Sequence, residues 1–313
     1  MKRARVAAIA GVFVVLAAAQ VTIPRRPKAE PKKEPQPSAN IRVDTSLILV
    51  PVSVNDPINR PVSGLEKENF RVFEDNVEQA ITHFAMDDEP IAAGLVFDTS
   101  GSMGAKLGLS RMAARQFFRI SNPEDEFFLV EFDDAPRLKV GLTQDTGLIM
   151  DQLTFSKSHG STALLDAIYL ALHEMKKSKK NKKTLLLITD GGDNHSRYSE
   201  REVTNLVRES DVLIYSIGVF GGGTTEEEVS GPGLLRHLSE QTGGRLFVAN
   251  APELPDIAQK IGIELRNRYV LGYSPKNQVR DGKYHRITVK IVPPRGLPKL
   301  QAHWRQGYNA PVE

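Results

Sequence analysis

Apolar segments that alternate with amphipathic helical segments between residues 91 and 267, with β-type segments on both sides of that region, predict an α/β chain. The expected architecture is a doubly wound, mostly parallel sheet covered by helices on both faces. A small β domain formed by the flanking N- and C-terminal segments completes it.

In chain order, residues 1–19 combine a basic start (Lys2, Arg3, Arg5), an apolar run over 6–16 and the small residues Ala17, Ala18 and Ala19. That pattern predicts a signal peptide and an exported, periplasmic, envelope-associated or secreted protein. An uncleaved N-terminal membrane anchor is the alternative, since the apolar run falls short of the ~20 residues that span a bilayer. Residues 20–40 are rich in Pro and Lys and hold too little apolar surface to repay ordering, so they form a linker. Residues 41–88 form an N-terminal β segment, with strands predicted at 46–54, 70–73 and 80–84 and a turn at 55–60.

Residues 89–267 carry the alternation. Apolar strands are predicted at 91–97, 127–132, 184–189, 212–219 and 245–249, with an edge-like strand at 137–142. Helical periodicity marks 105–120, 162–177, 199–209, 233–241 and 254–267. Residues 268–308 return to β signals, at 269–273, 285–292 and 300–305. Three short strands bury little alone, so they are expected to pair with the strands of 41–86. No internal repeat is visible.

Composition narrows the function. Hydrophobic residues make up 40% of the 313-residue chain and charged ones 25%, which excludes disorder for most of it. The formal charge of +3 comes from the N-terminal region, and from residue 41 onward acids outnumber bases by three. No nucleic-acid partner is therefore expected. The absence of cysteine excludes disulfides, thiolate zinc sites and thiol catalysis.

Three separated motifs supply hard oxygen ligands at strand ends or helix starts. They are Asp98-Thr99-Ser100-Gly101-Ser102 after the first strand of the alternation, Gly160-Ser161-Thr162 before a helix, and Thr189-Asp190-Gly191 after a strand. Open parallel sheets bind ligands where strand C-termini meet helix N-termini.

In these motifs, their order and their placement, residues 91–267 resemble the von Willebrand factor A family, and in particular bacterial members with a signal segment and flanking β regions. The stretches GLEKENFRVFEDNVEQAITHF and RYVLGYSP extend the resemblance into the flanks. It implies a Rossmann-like domain with a metal-ion-dependent adhesion site, and a binding or assembly protein in place of an enzyme. By the same resemblance, Ser100 and Ser102 ligate Mg²⁺ (or Mn²⁺ or Ca²⁺) through their hydroxyls, and Thr162 does so directly or through water. Asp98 and Asp190 act mainly through bridging waters and hydrogen bonds. An ion so held stays under-neutralised and takes an Asp or Glu carboxylate from a protein partner.

Each motif alone also reads as a helix cap or a turn. A catalytic alternative makes Ser102 the nucleophile of a serine hydrolase-like enzyme, with Asp190 and His195 or His237 in triad order. The first glycine of the Gly-x-Ser-x-Gly elbow is missing, however. A third reading is an envelope assembly scaffold. Asp133 and Asp134 are candidates for a second cation site or plain turn residues, and Asp193, Asn194 and His195 read as a solvated loop. His159 reads as an exposed loop residue and the basic run at 176–183 as a helix end with its loop. Glu226, Glu227 and Glu228 read as part of an acidic loop.

Overall fold

The computed structural model describes residues 47–87, 89–220, 226–277 and 281–312. The segments 1–19 and 20–40 lie outside them. Among the described residues no helix is long and apolar enough to cross a membrane.

The first strands are β1 (Ile48–Asn55), β2 (Phe70–Glu74), β3 (Val77–Gln79) and β4 (Ile81–Asp87). The α/β region then runs β5 (Ile91–Asp98), α1 (Leu107–Phe118), β6 (Glu126–Phe132), β7 (Pro136–Thr143), α2 (Thr146–Phe155), α3 (Leu164–Met175) and β8 (Lys182–Thr189). It continues through α4 (Glu200–Glu209), β9 (Val212–Gly218), α5 (Glu226–Thr242), β10 (Leu246–Val248) and α6 (Leu254–Arg266). Four strands end the chain, β11 (Arg268–Tyr273), β12 (Tyr284–Ile291), β13 (Gln301–Trp304) and β14 (Gly307–Asn309).

The central sheet has six strands in the order β10-β9-β8-β5-β6-β7. All its pairs are parallel except β6 with β7, where the edge strand turns back. The central strand β5 is buried on both faces, as its uninterrupted apolar sequence requires. Helices α1, α2 and α6 cover one face, with Phe117, Ile149 and Ile261 in that core. Helices α3, α4 and α5 cover the other with Ile168, Val203 and Leu235.

The flanking segments meet in two further sheets, β13-β1-β11-β4 and β14-β12-β2-β3. Each mixes strands from before and after the α/β region: β1 lies antiparallel to β11 and β13, and β2 to β12. Their facing sides enclose a third core of Val50, Val52, Phe70, Tyr269, Leu271 and Ile287. The small β domain expected from the flanks is present.

The short strands β3 and β14 were not predicted, and two helices differ from expectation. Helix α2 was not foreseen, because only Ile149 and Leu153 anchor it and two buried positions make too short a period to read. Helix α5 begins at Glu226, so the three glutamates read as a loop belong to a helix that continues through Pro232. Buried Leu235 and Leu238 hold that helix against the sheet, and their burial outweighs the proline's local cost of ~3 kcal/mol.

Candidate metal centre

Chain order reverses at β5: β6 lies on one side of it and β8 on the other. The crevice above their C-terminal ends is the switch point where such sheets bind ligands. Asp98 ends β5, and Asp190 follows directly on β8.

The loop after β5 tightens into a short 3-10 turn at Gly101–Met103, anchored by the buried Met103. Asp98 is fully buried. One carboxylate oxygen accepts from the Ser100 amide at 2.7 Å and the other from the Thr189 hydroxyl at 2.5 Å. The Ser100 and Ser102 hydroxyls lie 3.2 Å apart, and Ser102 donates to Asp190 Oδ1 at 2.8 Å. Asp190 Oδ2 accepts from the Lys106 ammonium at 2.7 Å. Burial pushes the Asp98 carboxyl up to about 6 against the opposing hydrogen bonds from Ser100 and Thr189, with the Asp190 charge adding to the rise.

Thr162 enters through the loop before α3. The Gly101 amide donates to Gly160 O at 3.0 Å and the His159 amide to Thr99 O at 2.9 Å, so the first and second loops are tied by their backbones. The Thr162 amide donates to Asn194 Oδ1 at 2.8 Å, and its carbonyl accepts from the Asn194 amide at 3.0 Å, which ties the second loop to the third. Gly160 has φ +75, and a Cβ there would meet the Asp134 carboxylate at 2.6 Å, so glycine is required on both counts.

The structure thus joins Asp98, Ser100, Ser102 and Asp190 in one hydrogen-bonded chain and ties the Thr162 loop to it. The donors are all hard oxygens, three hydroxyls and two carboxylates, the set that Mg²⁺, Mn²⁺ or Ca²⁺ takes. Two buried carboxylates face one ammonium, which leaves one negative charge without a fixed counter-charge. These residues fit a divalent cation.

Several neighbours have roles that the sequence did not disclose. Lys106 was unmarked, and Thr189 was read only as part of the third motif. Asn194, read as solvated, is exposed yet orients Thr162. Asp193 likewise accepts from the Leu165 amide at 3.1 Å and holds the start of α3. For Thr189, Asp193 and Asn194 a signal exists in their position, within four residues of Asp190.

Asp133 is buried and engaged by Arg137 and by His159 Nδ1 at 3.1 Å, and Asp134 accepts from the Ser161 amide at 2.7 Å. Ser102 has an acceptor in Asp190, and no histidine hydrogen-bonds to it among the described residues. The His195 amide donates to Thr162 O, and His237 lines a separate surface pocket with Glu200 and Arg208.

Comparison with known proteins agrees with this geometry. Residues 95–192, which contain all five site residues, match the family model described as von Willebrand factor type A domain. An uncharacterised protein of Borreliella burgdorferi is 30% identical over 185 residues, a match that covers 50% of this chain and 53% of the relative. The chain thus spans about half the length of that relative. Among solved structures, von Willebrand factor type A from Catenulispora acidiphila aligns with a TM-score of 0.51 at 11% identity, over 87% of this chain and 75% of that one. Proximal thread matrix protein 1 from the mussel byssus aligns with a TM-score of 0.50 at 20% identity, over 62% and 51%. Likeness at these identities concerns the fold. The strand order and the family match lead to one assignment: residues 95–192 of this chain match a von Willebrand factor type A domain.

Proposed function

We propose that this protein is a metal-dependent protein-binding module, working in adhesion or assembly, that captures an Asp or Glu of its partner. The observation that carries the reading is the convergence of Asp98, Ser100, Ser102 and Asp190 at the switch point, with Thr162 tied in by Asn194. Ser100, Ser102 and Thr162 would hold a divalent cation, Mg²⁺ in the first place and Mn²⁺ or Ca²⁺ otherwise. When bound, the cation would supply an electrophilic centre for a partner's carboxylate oxygen.

The chain's residues prepare that capture in two ways. Asp98 spends its oxygens on the Ser100 amide and the Thr189 hydroxyl, so it fixes the loop and contributes charge from behind. Hydroxyl ligands carry no formal charge, so an incoming anion is not repelled by the groups nearest to it. The N-terminal pattern of residues 1–19 supports a working place for this module outside the cytoplasm, in the envelope or beyond it.

Calorimetry with MnCl₂ tests the site. Wild type is expected to bind one equivalent, and Asp98→Ala to bind at least about tenfold more weakly while it melts as a folded protein. Unaltered Mn²⁺ affinity in Asp98→Ala would remove these residues from the metal site. Capture of partners from an envelope extract is expected to fail both in EDTA and with Asp98→Ala. Capture that persists in both would mean that the interaction does not run through the metal.

A further inference from the structure

At the N-terminal ends of the parallel strands, away from the metal centre, a cavity of about 1060 Å³ lies between the central sheet and the sheet β13-β1-β11-β4. Strand alternation decides what faces it. Along β11, Tyr269 and Leu271 point into the β-domain core, whereas Arg268 and Val270 line the cavity. Along β1, Val50 and Val52 point into the core, and Leu49 and Pro51 line the cavity. From the α/β side come Ile91, Val207 and Val212, which complete an apolar stretch of the wall, while charged residues such as Lys183, Arg208, Glu209 and Asp211 line other parts of it.

Arg268 is the buried cation of this wall. It is only 8% exposed, its one hydrogen bond runs to Pro51 O at 3.1 Å, and its Nε is buried with no partner. Among the described residues it forms no ion pair. Glu264, whose charge reaches it, is already held by Arg245, by Asn55 at 3.0 Å and by Tyr215 at 2.6 Å. Two buried guanidinium groups thus share one carboxylate, and one positive charge beside the cavity lacks its counter-charge. A buried charge without a partner is costly, and a guanidinium cannot shed its proton to escape that cost.

We propose that this cavity binds an anionic amphiphile, a fatty carboxylate whose head neutralises Arg268 and whose hydrocarbon body lies along Leu49, Val270, Val207 and Val212. The volume suits such a ligand, since small-molecule sites occupy ~300–1,000 Å³. Among the cations that line the cavity only Arg268 is buried, and it adjoins the apolar stretch, which matches a ligand with one charge and a long apolar body better than it matches a polyacidic peptide. The site is independent of the metal centre and of the partner captured there.

The test is calorimetric titration of the full chain with sodium dodecanoate below its micellar concentration. Dodecyltrimethylammonium supplies the same tail under a cationic head. Wild type is expected to bind dodecanoate saturably at one site and to show no saturable binding of the cationic analogue. Arg268→Met, which keeps the aliphatic stem and removes the charge, should weaken dodecanoate binding at least about tenfold. Should Arg268→Met fail to fold, Ala85→Trp decides, since this half-buried position on the wall would fill the cavity and weaken binding with Arg268 intact. Saturable wild-type binding that either folded variant leaves undiminished overturns the proposal. So does the absence of saturable binding in wild type, or displacement of dodecanoate by a tetraglutamate peptide.

Discussion

Lys106 places its ammonium 2.7 Å from Asp190 Oδ2, with only 19% of its side chain exposed. In this position it offsets one of the two buried carboxylates. It also stands where a divalent cation would draw on Asp190, so the two positive charges compete. A charge-assisted hydrogen bond of this kind is worth ~1.5–3 kcal/mol. Removing it by Lys106→Met is therefore expected to tighten Mn²⁺ binding about ten- to a hundredfold in calorimetry. Weaker or unchanged affinity would mean that the ammonium supports the site. Nothing in the local sequence marks Lys106 for this task, because its partner lies 84 positions away. The serines and aspartates were legible for the opposite reason: their chemistry is concentrated in short runs at strand ends.

Among the elements, β5 carries the most constraint. It pairs with β6 on one side and β8 on the other, and its residues are buried throughout. Gly94 sits mid-strand, where an added Cβ would come to 2.2 Å from Phe128 Cζ and 2.7 Å from Leu185 Cδ2. Both contacts are ends of side chains, so the sheet can yield, at the cost of disturbing the packing against α3. Gly94→Ala is expected to destabilise the fold by about 1–3 kcal/mol through overpacking, read as a lower midpoint in urea at unchanged slope. An unchanged midpoint would show a looser core at this layer. Strands like β5 were legible in sequence because both faces are buried and the apolar run is unbroken. Helix α2 was not, since its inward face amounts to Ile149 and Leu153.

At the scale of the molecule, the face of β13-β1-β11-β4 turned away from the β-domain core meets the α/β domain through a buried polar seam. Ser53 lies opposite His303 in the β1–β13 register, and its hydroxyl is 3.4 Å from Tyr215 OH, which donates to Glu264. His303 Nε2 is buried with no hydrogen-bond partner. Burial, and after it the charge of Arg245, pushes the His303 imidazole down to about 4, with Arg268 acting the same way and Glu264 opposing. The unfolded chain takes up this proton near ~6.5, and the folded protein does not until about 4. Stability from neutral His303 is thus fully present above pH ~6.5 and lost as pH falls toward 4, by up to about 3 kcal/mol. Other groups titrate in this range, so the informative quantity is the difference between wild type and His303→Gln. The stability gap between them is expected to shrink from pH 7 to pH 4.5, and a constant gap would place a solvated imidazole at the seam.

What the sequence determined by itself was the kind of surface each segment must hide. Unbroken apolar runs specified central strands, helical periods specified the layers over them, and three oxygen-rich motifs at strand ends specified where ligand chemistry gathers. The tertiary structure alone decided which segments share a surface. It set β1 between β11 and β13, although more than two hundred residues separate β1 from either. It brought Lys106 to Asp190 and left Arg268 with an uncompensated charge beside a cavity. The physical reason is that periodicity and propensity act over a few residues and fix only what a segment buries. Partners are selected by the packing of whole layers, to which residues hundreds of positions apart contribute equally.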